Sequence, residues 1–255
     1  MPHPAADVIR RAQAGETLIG YWSVLDSPIS TERVAMTGYD YVAIDGQHGL
    51  LGYSGILQGL MAIDAAHGPA GLVRVEANDD AVIGQALDAG ARGVIVPLVS
   101  TADDARRAVR AARYPGAGIR SYGPMRSGLR VGPVPGDSDA AVLLLVMIET
   151  PEGLANVEEI CAVDGVDGVY IGPSDLMLAV GGAFPGDPER AAEHTAAIAR
   201  VLAAAQAAGV IPGIHTPDGA TARARREQGF RFITIASDLT HLEQAARSHL
   251  EQARA

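Results

Sequence analysis

Three carboxylates, two imidazoles and a guanidinium stand in or just after short apolar runs of this chain. The run from Tyr41 closes in Asp45-Gly46-Gln47-His48, and Arg74 sits inside Leu72-Val73-Arg74-Val75. Glu149 ends the apolar stretch Ala140–Ile148, Ile171 opens into Gly172-Pro173-Ser174-Asp175, and His215 ends the run from Ile211. An acid beside an imidazole, as in Asp45-x-x-His48, suits proton transfer, the carboxylate fixing the tautomer; an Asx-turn with a surface histidine is the plainer alternative. Glu149 and Asp175 suit a hard divalent ion such as Mg²⁺ or Mn²⁺, although acids at loop starts are also common helix caps. A charge within a strand must find a partner. For Arg74 the planar fork favours a substrate carboxylate or enolate, with Glu76 or Glu149 as the structural alternative. The amides of the Gly172-Pro173-Ser174-Asp175 turn can cradle an anion. His215 reads as a hydrogen-bonded structural residue and receives no role.

These residues need elements to hold them, and the chain alternates short apolar runs with helical patterns. Strands are predicted at Leu18–Val24, Tyr41–Asp45, Gly71–Val75, Gly93–Pro97, Val142–Glu149, Gly168–Ile171, Ile211–His215 and Phe232–Ala236. Near-continuous apolar runs of this length indicate parallel strands covered on both faces. Helices are predicted at Ser30–Thr37, Tyr53–Ala66, Asp79–Ala89, Ala102–Ala112, Pro151–Ile160, Pro188–Ala208, Asp218–Gln228 and Leu239–Ala253, with an extra helix, Ala5–Ala14, in front. Eight strands each followed by a helix give the count of a (β/α)₈ barrel over residues 1–255, one domain, although an open doubly wound sheet alternates in the same way. Two long connections, Tyr114–Asp139 and Gly172–Asp187, interrupt the pattern. The first carries Arg120, Arg126 and Arg130, fit for a distal substrate acid, a neighbouring subunit or water.

Composition narrows the chemistry. The 255 residues include no lysine, so all 20 basic residues are arginine against 30 acids, a formal charge of −10. A Schiff-base enzyme, a pyridoxal-phosphate enzyme and a P-loop NTPase each need a lysine. The acidic balance opposes nucleic-acid binding. No apolar run approaches the ~20 residues of a membrane span, no secretory signal is visible, and one cysteine offers neither a disulfide nor a zinc cluster. A soluble cytoplasmic protein is expected.

At the same positions the sequence resembles the HpcH/HpaI family of metal-dependent pyruvate aldolases, such as 4-hydroxy-2-oxoheptanedioate and 2-dehydro-3-deoxyglucarate aldolases. Asp45-x-x-His48, Arg74, Val146-x-Ile148-Glu149-Thr150 and the stretch from Gly165 to Leu176 carry the resemblance, which extends from Gly20-Tyr21-Trp22 to Gly213-Ile214-His215. It implies a (β/α)₈ barrel whose eighth helix is exchanged between subunits of a hexamer, a trimer of dimers. It implies Glu149 and Asp175 as ligands of Mg²⁺, Mn²⁺ or Co²⁺, Arg74 on the keto and enolate oxygen, and His48, oriented by Asp45, as the catalytic histidine. Trp22 would line the pocket, and the turn Gly172, Pro173, Ser174 and Asp175 would seat the pyruvate carboxylate on its available backbone N–H groups. The implied reaction cleaves a 4-hydroxy-2-oxo acid to pyruvate, or hydroxypyruvate, and an aldehyde. Two departures stand out: Gly46-Gln47 replaces the family's middle pair in Asp-x-Glu-His, and Met147 replaces a frequent Gln. A malyl-CoA or citryl-CoA lyase and a non-catalytic 2-oxo-acid-binding barrel are the competing expectations.

Overall fold

A computed structural model describes residues 5–255 and closes eight parallel strands into one barrel. They are β1 (Leu18–Ser23), β2 (Tyr41–Asp45), β3 (Ala70–Arg74), β4 (Gly93–Val96), β5 (Leu143–Met147), β6 (Gly168–Ile171), β7 (Ile211–Thr216) and β8 (Phe232–Ser237). Each pairs with the next and β8 returns to β1, so the sheet is closed rather than open, a TIM barrel. The helices are α1 (Ala5–Gln13), α2 (Pro28–Ala35), α3 (Tyr53–Ala65), α4 (Asp80–Asp88), α5 (Ala102–Ala112), α6 (Gly128–Val131), α7 (Pro135–Ala140), α8 (Pro151–Ala155), α9 (Val157–Cys161), α10 (Pro173–Ala179), α11 (Ala191–Ala208), α12 (Gly219–Gln228) and α13 (Asp238–Arg254).

Period-two alternation sorts each strand's side chains between two cores. Val42, Ile44, Val73, Leu144, Val146 and Ile214 join the layer between barrel and helices. Tyr41, Ala43, Leu72, Leu143, Leu145, Met147, Tyr170, Ile211 and Phe232 fill the barrel interior. Val8, Ile9 and Ala12 of α1 belong to that inner cluster, so the extra helix closes the end where the strands begin. Room for large inner rings comes from glycine. A Cβ on Gly20 would lie 2.2 Å from the Tyr41 ring, and one on Gly213 2.7 Å from the Tyr170 ring.

Three expectations are refined. The helix expected over Pro151–Ile160 breaks at Asn156, whose side-chain amide donates to the Ser100 carbonyl at 2.9 Å while its backbone starts α9. The connection Gly172–Asp187 contains α10, and Tyr114–Asp139 contains α6 and α7. Arg120, Arg126 and Arg130 do not reach toward substrate. Arg120 pairs with Asp88, and Arg126 and Arg130 both pair with Asp64, at the C-terminal ends of α4 and α3. Those helix ends lie at the face where strands begin, opposite the mouth.

Candidate active site

The alternation that fills the barrel also carries reactive groups into its mouth. Asp45 continues Tyr41 and Ala43; Arg74 continues Ala70 and Leu72; Glu149 continues Leu143, Leu145 and Met147; His215 continues Ile211 and Gly213. All four stand where strands end, the face on which barrel active sites are built. An open pocket of about 540 Å³ lies there, lined by Trp22, His48, Arg74, Met147, Asp175 and His215 among others.

Asp45 and Arg74 are register partners across β2 and β3 and form a two-pronged ion pair. Arg74 Nε donates to Asp45 Oδ1 at 2.8 Å and Nη2 donates to Oδ2 at 2.5 Å. This corrects the two structural partners considered for the guanidinium: neither Glu76 nor Glu149 holds it, and Asp45 fills its side-on edge. Trp22 Nε1 donates to Asp45 Oδ2 at 3.1 Å, and the Trp22 ring lies 5.0 Å from the Arg74 guanidinium carbon. Burial works against the Asp45 charge, but Arg74, the His48 amide and Trp22 outweigh it and hold this acid below its ordinary pKa.

The Asp45–His48 relation also differs from expectation. Asp45 Oδ1 accepts the backbone N–H groups of Gln47 and His48, at 3.0 and 3.2 Å, the geometry of an Asx-turn. The carboxylate thus shapes the loop and leaves the exposed His48 imidazole unbonded to it, at the pocket rim.

Glu149 is 3% exposed and does not cap the following helix; Thr150 does, accepting from the Gly153 amide. Glu149 Oε1 accepts the Leu98 amide at 2.9 Å, presented by a residue with φ of 55°, while Oε2 is buried without a partner. Burial pushes the pKa of Glu149 up to about 7; the Asp175 charge adds to this, and the Leu98 amide and Arg74 oppose it. Asp175 stands in the first turn of α10, behind the cap residue Gly172. A Cβ on Gly172 would meet Glu149 Oε2 at 2.6 Å, Met147 Cε at 3.0 Å and Asp175 Oδ2 at 3.8 Å. Two carboxylate oxygens therefore face one gap that only glycine leaves open. Among the described residues no cluster of three or more His, Cys, Asp and Glu side chains is gathered for a metal. An ion held here would rest on Glu149 and Asp175 and complete its shell with substrate and water oxygens, the mode in which Mg²⁺ commonly binds. The orphaned Oε2 fits that donor set.

His215, left without a role by its sequence context, also lines the pocket. Its parity with Ile211 and Gly213 was the available signal. The ring stands edge-on to Trp22, with centroids 5.6 Å apart, and Nδ1 lies 2.9 Å from Thr234 Oγ1. Burial, helped by Arg74 and opposed by Asp45, lowers its pKa to about 4.

Residues 18–245 match the family model described as HpcH/HpaI aldolase/citrate lyase. The chain belongs to the HpcH/HpaI family. It is 41% identical over 242 residues to a hydroxypyruvate/pyruvate aldolase of Rhizorhabdus wittichii, covering 94% of this chain and 96% of that one. It is 39% identical over 245 residues to a 4-hydroxy-2-oxovalerate aldolase of Rhodococcus jostii, covering 95% and 93%. The crystal structure of an HpcH/HpaI aldolase/citrate lyase family protein from Burkholderia cenocepacia superposes with a TM-score of 0.87 at 36% identity, over 98% of this chain and 100% of that one. This HpcH/HpaI barrel is a lyase of the aldolase kind.

Proposed function

We propose that the protein is a divalent-metal-dependent class II aldolase that reversibly cleaves 4-hydroxy-2-oxo acids to pyruvate, or hydroxypyruvate, and an aldehyde. One observation carries the reading: the partnerless Glu149 Oε2 and Asp175 Oδ2 face a common gap beside a pocket wall that holds the Arg74 guanidinium. Glu149 and Asp175 would hold the cation, which when bound would supply a Lewis acid for the 2-oxo group.

The chain's own residues divide the remaining work. Asp45 fixes Arg74 through Nε and Nη2, so Nη1 stays available for the C2 oxygen. His48 takes the proton of the C4 hydroxyl, directly or through a water. As that O–H bond is lost, the C4 oxygen becomes an aldehyde carbonyl and the C3–C4 pair moves into C3=C2. The C2 oxygen then carries the enolate charge, held by Arg74, and protonation at C3 yields the 2-oxo acid product. Preorganised charge of this sort is commonly the largest catalytic contribution. Ser174 and Asp175, in the first turn of α10, offer amides without intrahelical partners to the substrate carboxylate. With no lysine in the chain, an imine route has no side-chain amine.

A thioester lyase would need a cradle for its nucleotide, and Arg120, Arg126 and Arg130 are paired with Asp88 and Asp64 at the opposite face. The reading includes an assembly of subunits through α13 and a cytoplasmic site of action; none of the helices among the described residues is long and apolar enough to cross a membrane.

The test is release of pyruvate from 4-hydroxy-2-oxo acids after chelation, with Mg²⁺, Mn²⁺ and Co²⁺ restored separately. Activity should vanish on chelation, return with a cation, and be absent in Glu149→Gln and Asp175→Asn. Full activity after chelation, or cleavage of a malyl thioester in preference to the free acid, would overturn the proposal.

A further inference from the structure

The aldolase chemistry proposed above leaves one pocket residue unused, His215, and its hydrogen-bond partners determine what it offers. The Tyr170 hydroxyl, on a residue with no exposure, meets one partner, the hydroxyl of Thr234. Thr234 Oγ1 in turn meets Tyr170 and His215 Nδ1, the latter at 2.9 Å. Two contacts join three groups, and each contact takes one hydrogen. If Nδ1 carried a hydrogen, three hydrogens would compete for two contacts, and that of either Tyr170 or Thr234 would be left buried without an acceptor. A polar group stranded in this way costs about 1–3 kcal/mol. With no hydrogen on Nδ1, Tyr170 donates to Thr234, Thr234 donates to Nδ1, and nothing is stranded. The chain therefore sets the tautomer: Nδ1 accepts and Nε2 carries the hydrogen. Nδ1 being occupied, Nε2 is the nitrogen left for the pocket that His215 lines. Burial and the nearby Arg74 keep the ring neutral, so it presents a single uncharged donor.

We infer that His215 is a specificity-determining residue whose Nε2–H donates to a hydroxyl oxygen of the substrate, so that hydroxylated substrates are preferred to their deoxy analogues. This rests on the aldolase reading. The hydroxyl has two chemical sources. It stands at C3 of the 2-oxo acid in hydroxypyruvate against pyruvate, or beside the carbonyl of the aldehyde in glycolaldehyde against acetaldehyde. A neutral imidazole N–H complements such an oxygen without demanding a charge, whereas Arg74 and the Ser174 and Asp175 amides already serve the C2 oxygen and the carboxylate of the substrate.

Trp22, the sole tryptophan of the chain, lines the same pocket 5.6 Å from the His215 ring, so its fluorescence reports binding without turnover. Titrating the Mn²⁺-loaded protein with hydroxypyruvate and with pyruvate, and measuring kcat/KM for both aldehydes, separates the two sources. In one pair or the other, His215→Leu should reduce the preference for the hydroxylated member about tenfold, the worth of one neutral hydrogen bond. His215→Gln, which keeps an N–H, should restore part of it. Nitrogen-15 shifts should show Nδ1 as the unprotonated ring nitrogen, and Thr234→Val should release that constraint. A protein that binds these acids yet turns over no aldehyde would end the aldolase reading, with the binding ratios alone deciding the role of His215. Equal losses for hydroxylated and deoxy members of both pairs, an unchanged ratio in His215→Leu, or a protonated Nδ1 would each overturn the inference.

Discussion

Glu149 is the residue on which the proposed metal chemistry turns, because the fold makes its charge costly. Its pKa stands near 7 in the folded chain against an ordinary 4.5, chiefly through burial. Between those values the folded protein holds a proton that the unfolded chain has released. Metal-free protein should therefore lose stability as pH rises from about 4.5 to 7 and level off above. A cation needs the deprotonated acid, so its affinity should rise over the same interval. Differential scanning fluorimetry with chelator and with Mn²⁺ checks both slopes: the gain in Tm from the ion should grow between pH 5.5 and 8, and Glu149→Gln should flatten it. Arg74 raises a different point. Its Nε and Nη2 are committed to Asp45, and a lysine ammonium cannot reproduce that fork. Arg74→Lys should lower kcat about 100-fold, the scale of losing one donor to a developing oxyanion. Asp45→Asn should lower it too, since it weakens the group that fixes Arg74 while leaving the shape of the pocket. Steady-state kinetics with saturating cation decide this, and a change confined to KM would count against the enolate-stabilising role.

At the scale of elements, the junction of β6 and α10 does the most to assemble the site. Gly172 ends the inward parity of Gly168 and Tyr170, and its missing side chain leaves the gap between Glu149 and Asp175. Gly172→Ala would press a methyl against Glu149 Oε2, a contact of 2.6 Å before relaxation. It should weaken Mn²⁺ binding at least tenfold in isothermal titration while circular dichroism stays that of the parent. All eight strands and the extra α1 were legible in the sequence because buried parallel strands and amphipathic helices leave local patterns. The placing of Asp45 and Glu149 at the strand ends was legible for a related reason, since each closes an apolar run. The pairing of Arg74 with Asp45 was not, because it depends on the register of β2 against β3, which neither strand records alone. The Asx-turn was weighed, but which partner Asp45 would choose among a loop amide, an imidazole, an indole and a guanidinium is decided by tertiary placement. His215 is hydrogen-bonded, as a histidine at a strand end suggests, but its place on the pocket wall beside Trp22 depends on tertiary placement that the run from Ile211 does not record.

For the whole molecule the telling element is α13. It meets the barrel near its start, through Asp238, whose carboxylate accepts from the Ser23 hydroxyl and the Val24 and Leu25 amides at 2.9–3.2 Å, and through His241, whose Nδ1 lies 3.0 Å from the Tyr21 hydroxyl. After Asp238 every residue of the helix is at least partly exposed, with Leu242 at 60% and Leu250 at 49%. A helix of 17 residues runs about 25 Å, and its apolar side chains gain little from the barrel they follow. The other helices of the ring bury theirs: α11 alone contributes Ala197, Ile198, Val201, Ala204 and Ala205 to the core. An amphipathic helix left in this state is completed by a second surface, and the proposed exchange of α13 between copies supplies one of matching shape. Each apolar side chain moved from water into such an interface contributes about 1.5–3 kcal/mol, so a few leucines decide the outcome. Light scattering during size exclusion should give a multiple of 26.3 kDa for the parent chain, six on the proposed assembly. Leu242→Glu combined with Leu250→Glu should lower that multiple and leave the barrel folded, because neither residue is part of its core. A parent chain that elutes at 26.3 kDa would rule out the exchange. If the doubled variant keeps the parent mass, subunits associate elsewhere and the exposed face of α13 is not what joins them.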